Sequence, residues 1–430
     1  MKKDKFNTKF REYAKTLSPT SGEQKLVNEI YQSFNDLFGI NNCIQIGSYP
    51  RYTSTRPIHD LDILYILGDW DENNHSPSDT LQNLFKKVVS EYINPTQYTI
   101  ESSLQTHSVT VLYLNGKEEI FSVDIVPAYN FGRNEFEQNT YKVPEVIKEK
   151  DHSKRNTLVW DASDLHAWIK SDPRGYIKVA TEVGSNADFR KTVKFVKRWK
   201  SNLCCQDESL KLKSFHLEQV ITILFQQNSD ICIFDAVFSF FVDLPNIVST
   251  PNQISDRANG NKYIDDYIED FTEEQRHKIK QARDGFLIKL EAFEEADDVD
   301  NLVEVSFYQR AHDSEEYLFD SLIPTFTEEV IQICGKIQQC NGLTRLLSDF
   351  GLIDNGQNIR FSINLGCNAD MYKWKVKNDS RSDNPRGEIT DYQTLRDPER
   401  TSYSGNHYVE CYAIKSGVCV AKARQNVRLN

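Results

Sequence analysis

Long hydrophobic runs are missing from this sequence. Its 430 residues contain no uninterrupted apolar run of about 18 or more residues, the length that a membrane-spanning helix needs. The first residues, MKKDKFNTKFREYAK, also lack the apolar segment of an export signal. We therefore expect a cytosolic protein without membrane contact. With 39% hydrophobic and 11% aromatic residues, the chain can still bury a sizeable core and is long enough for two or three domains.

Paired cysteines and an excess of positive charge are missing as well. The nine cysteines are an odd number, are scattered and include no C-x-x-C pair, which predicts reduced thiols rather than disulfides or a zinc site. The formal net charge of -12 argues against a protein that coats nucleic acid. Small anionic ligands need only a local basic cluster, and RKTVKFVKRWK at 190–200 provides one.

The first third of the chain mixes helix and strand signals. Thr20 and Glu23 have the spacing of a capping box, and apolar residues then recur at helical intervals as far as Phe38. Strand-like runs follow at 43–47, 61–67, 108–114 and 119–127. This pattern predicts an α+β domain.

The rest of the chain divides into a helical part and a β-rich part. Apolar residues recur with helical spacing through most of 165–300. The acidic, polar segment 294–316 is predicted to be a linker or a boundary. We expect one further helix near 328–349. From about 355 to 430, polar and apolar residues alternate between Gly and Asn turns, as in small antiparallel sheets. There is no internal repeat.

The pattern D-x-D occurs three times, and its context separates the three copies. The pairs at 69/71 and 298/300 lie in polar or charged surroundings, so we interpret them as solvated surface. Only Asp60 and Asp62 open an apolar strand, DLDILYI. Alternate residues of a strand share a face, so both carboxylates project together while Leu61 and Ile63 turn into the core.

A third carboxylate, Asp124, lies between Val123 and Ile125 in EEIFSVDIVPAYN. An unpaired charge in such a strand is costly. Taken alone, Asp124 fits a carboxylate held by a buried arginine or a capped turn. Together with Asp60 and Asp62 it fits a metal site, because a divalent cation relieves their mutual repulsion, and carboxylates with open positions suit Mg²⁺ (or Mn²⁺) bound jointly with substrate phosphates.

A turn precedes the first two aspartates. IGSYPRYT places Gly47 and Ser48 after the strand CIQI, where a glycine lets backbone N–H groups approach a phosphate and a serine hydroxyl adds a donor. The combination of a Gly-Ser turn, a D-x-D strand and a later strand with one Asp is the pattern of the nucleotidyltransferase superfamily that includes DNA polymerase beta.

The sequence resembles a more specific family within that superfamily. GSYPRYTSTRPIHDLDILYIL, FSVDIVPAYN, SDPRGYI, RKTVKFVKRWK and LKSFHLE resemble, in order, the motifs of the cGAS/DncV-like nucleotidyltransferases (CD-NTases), relatives of oligoadenylate synthase. The final third resembles the AGS-C domain, a ligand sensor attached to bacterial CD-NTases, in YKWKVKN, PRGEI and SGNHYVECYAIKSGVCVAKARQ.

The resemblance implies a polymerase-beta-like nucleotidyltransferase palm (1–165, with an N-terminal helix), a helical nucleotide-binding lobe (166–305) and a small β-rich, β-sandwich-like sensor domain (316–430). It further implies a synthase that joins NTPs into a cyclic or short linear oligonucleotide second messenger in bacterial anti-phage defence (CBASS-like). Two Mg²⁺ ions are expected on Asp60, Asp62 and Asp124, in a two-metal arrangement.

The resemblance also assigns roles in the helical lobe. Lys197 matches the lysine of the family's K-x-W, which contacts the donor triphosphate, whereas the nearby Lys191, Lys194 and Arg198 are interpreted as an ordinary surface helix. Ser214 fits either a plain helix N-cap or the family's phosphate contact. Phe215 fits the core, or in the family's pattern stacks on a nucleotide base. Gly47 and Ser48 complete the expected triphosphate site.

Several further residues receive weaker assignments. Arg51, Arg56, Arg174 and His59 fit contacts with phosphate or base, but we interpret each as a surface or structural residue. His407 and Tyr408 are candidate sensor contacts by resemblance, but the alternation in HYVECYAI favours an exposed strand position for His407.

The expected partners are NTP substrates, a regulatory ligand at the C-terminal domain and a separate effector protein that recognises the product. Two alternatives stay open. One is a transferase that adds a nucleotide or an oligonucleotide tail to RNA or protein. The other is a catalytically inactive nucleotide sensor.

Overall fold

The computed structural model describes residues 2–71, 76–147, 165–183, 187–338, 342–391 and 398–430. The chain forms two compact units. The first unit consists of Phe10–Ala236 and Ile247–Phe271, and the second of Met1–Lys9, Val237–Asn246 and Thr272–Asn430. Within the described ranges, no helix is both long and apolar enough to cross a membrane.

A seven-stranded mixed sheet is the centre of the first unit. Its strands are β1 (Cys43–Ile46), β2 (Asp60–Asp69), β3 (Thr99–Leu104), β4 (Val109–Asn115), β5 (Glu118–Arg133), β6 (Asn139–Ile147) and β7 (Leu165–Ser171). The order is β1-β2-β5-β4-β3, and β6 pairs with both β5 and β7. Only the pairing of β2 with β5 is parallel among the described strands of this sheet.

Helices account for most of the remaining regular structure before residue 272. They are α1 (Lys2–Thr16), α2 (Ser21–Phe38), α3 (Pro77–Glu91), α4 (Pro173–Val183), α5 (Ala187–Gln206), α6 (Ser214–Gln227) and α7 (Ile233–Ser249). A short hairpin of β8 (Ser255–Asp256) and β9 (Asn259–Tyr263) and a 3-10 turn (Asp266–Asp270) follow. The predicted capping box of α2 is confirmed, since the Thr20 side chain accepts from Glu23 N–H and the Glu23 carboxylate accepts from Thr20 N–H.

The core of the first unit lies between α2, α3 and one face of the sheet. Val27, Ile30 and Phe34 supply the apolar stripe of α2 and are fully buried. Leu61 and Ile63 of β2 pack into the same cluster, as the alternation of that strand predicted. Burying these side chains is the main term that fixes the register of β2.

The second unit contains α8 (Glu273–Ala292), the short α9 (Asp300–Val303), a 3-10 turn (Leu318–Ser321) and two antiparallel four-stranded sheets. One sheet has the order β11-β10-β12-β15, from β10 (Gln332–Gln338), β11 (Thr344–Leu346), β12 (Asn358–Leu365) and β15 (Glu399–Arg400). The other has the order β14-β13-β16-β17, from β13 (Met371–Lys377), β14 (Ile389–Thr390), β16 (Gly405–Lys415) and β17 (Val418–Leu429). Their inner faces share one apolar core that includes Phe361 and Trp374.

The prediction of a helix near 328–349 is wrong. That segment forms β10, β11 and a 3-10 turn at Leu347–Asp349. The segment forms strands because its burial follows a period of two. Ile331, Gly335 and Ile337 are buried, while the residues between them are exposed or partly exposed. Gly335 lies so close to the Leu347 and Phe361 side chains that a Cβ there would come within 3.0 Å of both.

The acidic segment 294–316 is exposed over much of its length but packs firmly at its end. Arg310 bonds Asp284 of α8 at 2.8 Å and Asp320 at 2.8 Å. Glu315 is buried and lies 2.9 Å from Lys377 of β13. These ion pairs join α8, the acidic segment and the sheet of β13 within the second unit.

The cysteines in the described part of the chain are free, as predicted. Burial raises the pKa of Cys43, Cys411 and Cys419 to about 12, so these thiols stay protonated and behave as small apolar core residues. Cys340 lies outside the described residues.

Candidate functional site

The parallel pairing of β2 and β5 brings the predicted carboxylates together. Its register places Asp62 beside Asp124 and Asp60 beside Ser122. Neighbouring strands lie about 4.8 Å apart, and residues paired in register project to the same face of a sheet. Asp60, Asp62 and Asp124 therefore share one face, although Asp124 is distant from the other two in sequence.

Gly47 borders this carboxylate row, defined as Asp60, Asp62 and Asp124. Gly47 follows β1, whose last residue, Ile46, pairs with Asp62. A Cβ at position 47 would come 1.8 Å from Oδ2 of Asp62, and Gly47 also has a φ of +74°. Both the backbone conformation and the space beside Asp62 thus require glycine at this position.

Hydroxyl groups hold Asp124. Thr110, its register partner on β4, donates a hydrogen bond to Oδ1, and Ser108 Oγ donates to the same oxygen from 3.4 Å. The alternative in which a buried arginine holds Asp124 is therefore not the arrangement in the structure. Hydroxyl donors orient the carboxylate without neutralising it.

The carboxylate row carries more negative charge than its surroundings offset. Burial and the nearby charges of Asp60 and Asp124 raise the pKa of Asp62 to about 7, against a smaller opposing effect of Arg51 and Lys197. Burial also raises the pKa of Asp124, and the Thr110 hydrogen bond opposes the rise. Ionised Asp62 is thus unfavourable without a further positive charge.

These properties fit a divalent cation. The described residues contain no group of three or more His, Cys, Asp or Glu side chains already arranged as a metal cage. The row does provide hard oxygen donors on one face, surplus negative charge and the space that Gly47 keeps free. Oxygen donors with open positions are the ligands that Mg²⁺ and Mn²⁺ prefer.

Lys197 takes part in a buried ion cluster. Its Nζ donates to Glu218 Oε2 at 2.7 Å, to Thr53 O at 3.1 Å and to Thr53 Oγ1 at 3.2 Å. Arg51 Nε donates to the other Glu218 oxygen at 2.6 Å. A lysine has three N–H donors, and all three are used here, so the predicted direct contact of Lys197 with a triphosphate is not prepared in this structure. The cluster instead fixes the loop that begins with Gly47 and Ser48.

Glu218 is the site residue that the sequence interpretation missed. It is 1% exposed, and burial alone would raise its pKa, but Lys197 and Arg51 outweigh that effect and lower the pKa to about 2. A signal was present, because a glutamate inside the apolar helix SFHLEQVITILF needs a buried cation as partner. The lysine that supplies it lies 21 residues earlier, on α5.

The loop and the start of α6 hold the other predicted phosphate contacts. Ser48 O accepts from Thr53 N–H at 3.1 Å, which closes the turn. Ser214 is the first residue of α6, and the N-cap position belongs to Lys213, which makes no side-chain capping bond. The plain N-cap interpretation of Ser214 is therefore wrong. Phe215 is half-buried, with Tyr176 edge-on at 4.9 Å and the Arg51 guanidinium 5.3 Å from its ring.

Helix α5 buries a lysine beside its apolar residues. Phe195, Val196 and Trp199 form the buried apolar side of the helix. Lys194 is also buried and donates to Ser18 Oγ at 2.7 Å, so the surface-helix interpretation is wrong for this residue. Burial and the neighbouring cations lower the pKa of Lys194 to about 8.

The remaining assignments divide into exposed and buried residues. Arg51 is buried and structural, whereas Arg56, Arg174 and His59 are exposed. The carboxylates of the other two D-x-D pairs are exposed as predicted, at Asp69, Asp71, Asp298 and Asp300. The exposed position expected for His407 is wrong, since this residue is buried, and Tyr408 is partly buried.

Two regions of the chain match known domain families. Residues 6–183 match the Second Messenger Oligonucleotide or Dinucleotide Synthetase (SMODS) domain, and residues 311–430 match the Adenylyl/Guanylyl and SMODS C-terminal sensor (AGS_C) domain. A probable cyclic nucleotide synthase of Bacillus cereus VD146 is 24% identical over 230 residues, which cover 48% of this chain and 62% of that protein. The chain thus spans about three fifths of the length of that relative.

A solved structure with a TM-score above 0.5 shows the same fold. The structure of E. coli MS115-1 CdnC with ATP aligns with a TM-score of 0.51 and 16% identity, covering 71% of this chain and 99% of that chain. The complex of CdnC with HORMA-deltaN from the same strain aligns with a TM-score of 0.48 and 16% identity, covering 70% of this chain and 97% of that chain. The palm-like sheet, the helices and the C-terminal β-rich part agree with the predicted fold class.

Proposed function

Because this chain belongs to the SMODS-type CD-NTases and carries an AGS-C sensor domain, we propose that it polymerises NTPs into a cyclic or short linear oligonucleotide second messenger in bacterial anti-phage defence. The observation that carries the proposal is the parallel register that places Asp62 beside Asp124. A relative described as a probable cyclic nucleotide synthase supports it. A second messenger acts through a receptor, so a separate effector protein that recognises the product is part of the proposal.

In this proposal, Asp60, Asp62 and Asp124 hold two Mg²⁺ (or Mn²⁺) ions. Ions bound there would lower the pKa of the attacking ribose hydroxyl and offset negative charge on the pyrophosphate leaving group. The residues themselves contribute position and charge. Asp124 is held by the Thr110 and Ser108 hydroxyls, which orient its carboxylate without neutralising it and so leave its charge available to a cation.

The donor triphosphate would lie along the turn at Gly47 and Ser48 and the start of α6. Gly47 leaves room beside Asp62, and the Ser48 hydroxyl adds a donor. Ser214 opens a helix of 14 residues whose first N–H groups favour an anion. Lys197 acts in this arrangement through its charge and by fixing the loop through its bonds to Thr53. Arg51 and Tyr176 position Phe215 for contact with the base.

Chromatography of the products tests the proposal. The protein is incubated with all four NTPs and Mg²⁺ or Mn²⁺, with and without added RNA, and a matched sample contains EDTA. We expect small oligonucleotide products that require the metal ion. A lengthened RNA or a modified protein would instead identify a tail-adding transferase, and unchanged NTPs under every condition would identify an inactive sensor.

A further inference from the structure

The second unit contains a cavity of about 330 Å³ whose lining residues come from both of its four-stranded sheets. Ile359 and Phe361 of β12 line it, together with Val409 of β16 and Val427 of β17. Small-molecule sites are mostly apolar clefts of about 300–1,000 Å³ with a few placed polar groups. The volume is at the lower end of that range, which suits one small molecule rather than a peptide or an oligonucleotide.

One lining residue of the cavity, His407, carries a buried hydrogen-bond donor. The residue lines the cavity and is 8% exposed. Its Nδ1 accepts from the backbone N–H of Asp379 at 3.2 Å, so the proton of the neutral ring lies on Nε2. Within the described residues Nε2 has no hydrogen-bond partner. A buried donor without a partner is costly, and a ligand with an acceptor atom would remove that cost.

The charged lining residues leave one surplus positive charge. Arg386 NH1 donates to Glu399 at 3.1 Å, so these two charges offset each other. Arg400, the other arginine of the lining, forms no ion pair with any described residue and is exposed at the edge of its sheet. The cavity thus combines an apolar wall, a buried N–H donor and a free guanidinium.

We propose that this cavity binds one small, ring-containing anion. Its ring would pack on the apolar wall, an acceptor atom would take the Nε2–H of His407, and its negative charge would lie near Arg400. Nucleoside monophosphates and aromatic carboxylates share this chemistry. Binding to the cavity is measured independently of nucleotide transfer, so a negative result for either proposal can be told apart from a negative result for the other.

The test follows the His407 ring in the full chain labelled with ¹⁵N-histidine. The probes are AMP, GMP, CMP, UMP, benzoate, indole-3-carboxylate and inorganic phosphate, and the His407 resonance is assigned by its loss in His407→Gln. We expect at least one ring-containing probe to shift the Nε2 resonance of His407 at submillimolar concentration. The arm that responds, nucleotide or carboxylate, identifies the source of the ligand. The same shift in Asp60→Ala plus Asp62→Ala shows that the transferase site is not involved.

Variants separate ligand binding from structural effects. We expect calorimetry with the responding probe to show at least tenfold weaker binding in His407→Phe and in Arg400→Ala. Arg400 is exposed, so that variant keeps its fold. His312→Phe is the matched control, because the Nδ1 of His312 also accepts a backbone N–H, at 3.1 Å, while the residue is exposed. The proposal is overturned if no ring-containing probe moves the His407 resonance, if inorganic phosphate binds as tightly as they do, or if Arg400→Ala binds like the wild type.

Discussion

Two clusters of charged residues in the first unit each contain a buried carboxylate, and the pKa values of these two carboxylates move in opposite directions. Asp62 has a pKa raised to about 7, because burial and two further carboxylates disfavour its charge. Glu218 is more deeply buried, yet its pKa is lowered to about 2 because Lys197 and Arg51 overcome the effect of burial. Burial alone does not decide the outcome; the sign of the neighbouring charges does.

The difference indicates what each cluster is for. In the Arg51–Glu218–Lys197 cluster, the one carboxylate is paired and hydrogen-bonded with two cations, which is what a structural ion cluster requires. The carboxylate row has surplus charge that the described residues do not neutralise, and residues with such raised pKa values are candidates for a functional site. We therefore expect the ionised carboxylates of the row to need a cation from solution. The carboxylate of the cluster, by contrast, is stabilised by Arg51 and Lys197 themselves.

The largest expected effect is on catalysis. Replacing Asp60→Ala together with Asp62→Ala removes two of the three ligands, so NTP consumption should fall by at least about 10²–10³-fold. The fold should persist, because the change removes mutual repulsion. The matched control is Asp69→Ala together with Asp71→Ala, the exposed D-x-D pair, which should keep wild-type activity. Full turnover by a folded Asp60/Asp62 variant would remove this site assignment.

The second effect is on stability and concerns the Arg51–Glu218–Lys197 cluster. Glu218→Gln leaves Lys197 and Arg51 buried without a counter-charge, so the free energy of unfolding should fall by about 3–5 kcal/mol. Urea denaturation measures this change. The control is Glu274→Gln, which breaks an exposed pair with Lys278 and should leave stability unchanged. An equally mild effect of Glu218→Gln would show that the cluster is not what fixes the loop.

The third effect is a pH dependence of opposite sign in the two regions. Without divalent cations, the folded protein holds a proton on Asp62 up to about pH 7, so the stabilising contribution of Asp62 is complete below its ordinary pKa of 3.8 and is lost as the pH rises to 7. Three pKa units correspond to at most about 4 kcal/mol. For Glu218 the contribution is present above pH 4.5 and is lost as the pH falls towards 2.

Asp62→Asn checks the first half of that prediction. In EDTA the variant should be more stable than the wild type at pH 8 and should approach it at pH 5, as measured by urea denaturation. Parallel curves of unfolding free energy against pH for the two proteins between pH 5 and 8 would show that the surroundings of Asp62 do not disfavour its charge.

The smallest effect compares two glycines with positive φ. Gly47→Ala and Gly116→Ala should each cost about 1–3 kcal/mol, because both backbones lie in the left-handed region. A methyl group at Gly116 meets no atom within 4 Å, whereas at Gly47 it collides with Asp62. Only Gly47→Ala should therefore also lower the rate of NTP consumption. Equal rates in both variants would mean that the space beside Asp62 is not used.

Local signals predicted much of the first unit. The capping box of α2 and the apolar strands β1, β2, β4 and β5 follow from short patterns, and these patterns place Gly47, Asp60, Asp62 and Asp124. Strands β3, β6 and β7 were not predicted; in β3, for example, the polar residues of TIESSL carry little alternation. The prediction of a helix near 328–349 was wrong because the apolar residues there fit helical spacing as well as a period of two. Only the pairing with neighbouring strands decides between the two.

Pairings between distant residues could not be predicted from the sequence. The partner of Glu218 depends on how α5 packs against α6, and the buried Lys194 donates to Ser18, 176 residues earlier in the chain. His407 was expected on an exposed face, since strand alternation does not say which face is covered. In each case the deciding contact is with a residue far away in the chain.

Binding of Mn²⁺ tests the central claim most directly. Electron paramagnetic resonance can count the ions bound per chain in the presence of a non-hydrolysable ATP analogue, for the wild type and for Asp60→Ala plus Asp62→Ala. The account predicts two bound ions in the wild type and none held by the protein in the variant. Equal binding in both proteins would contradict it.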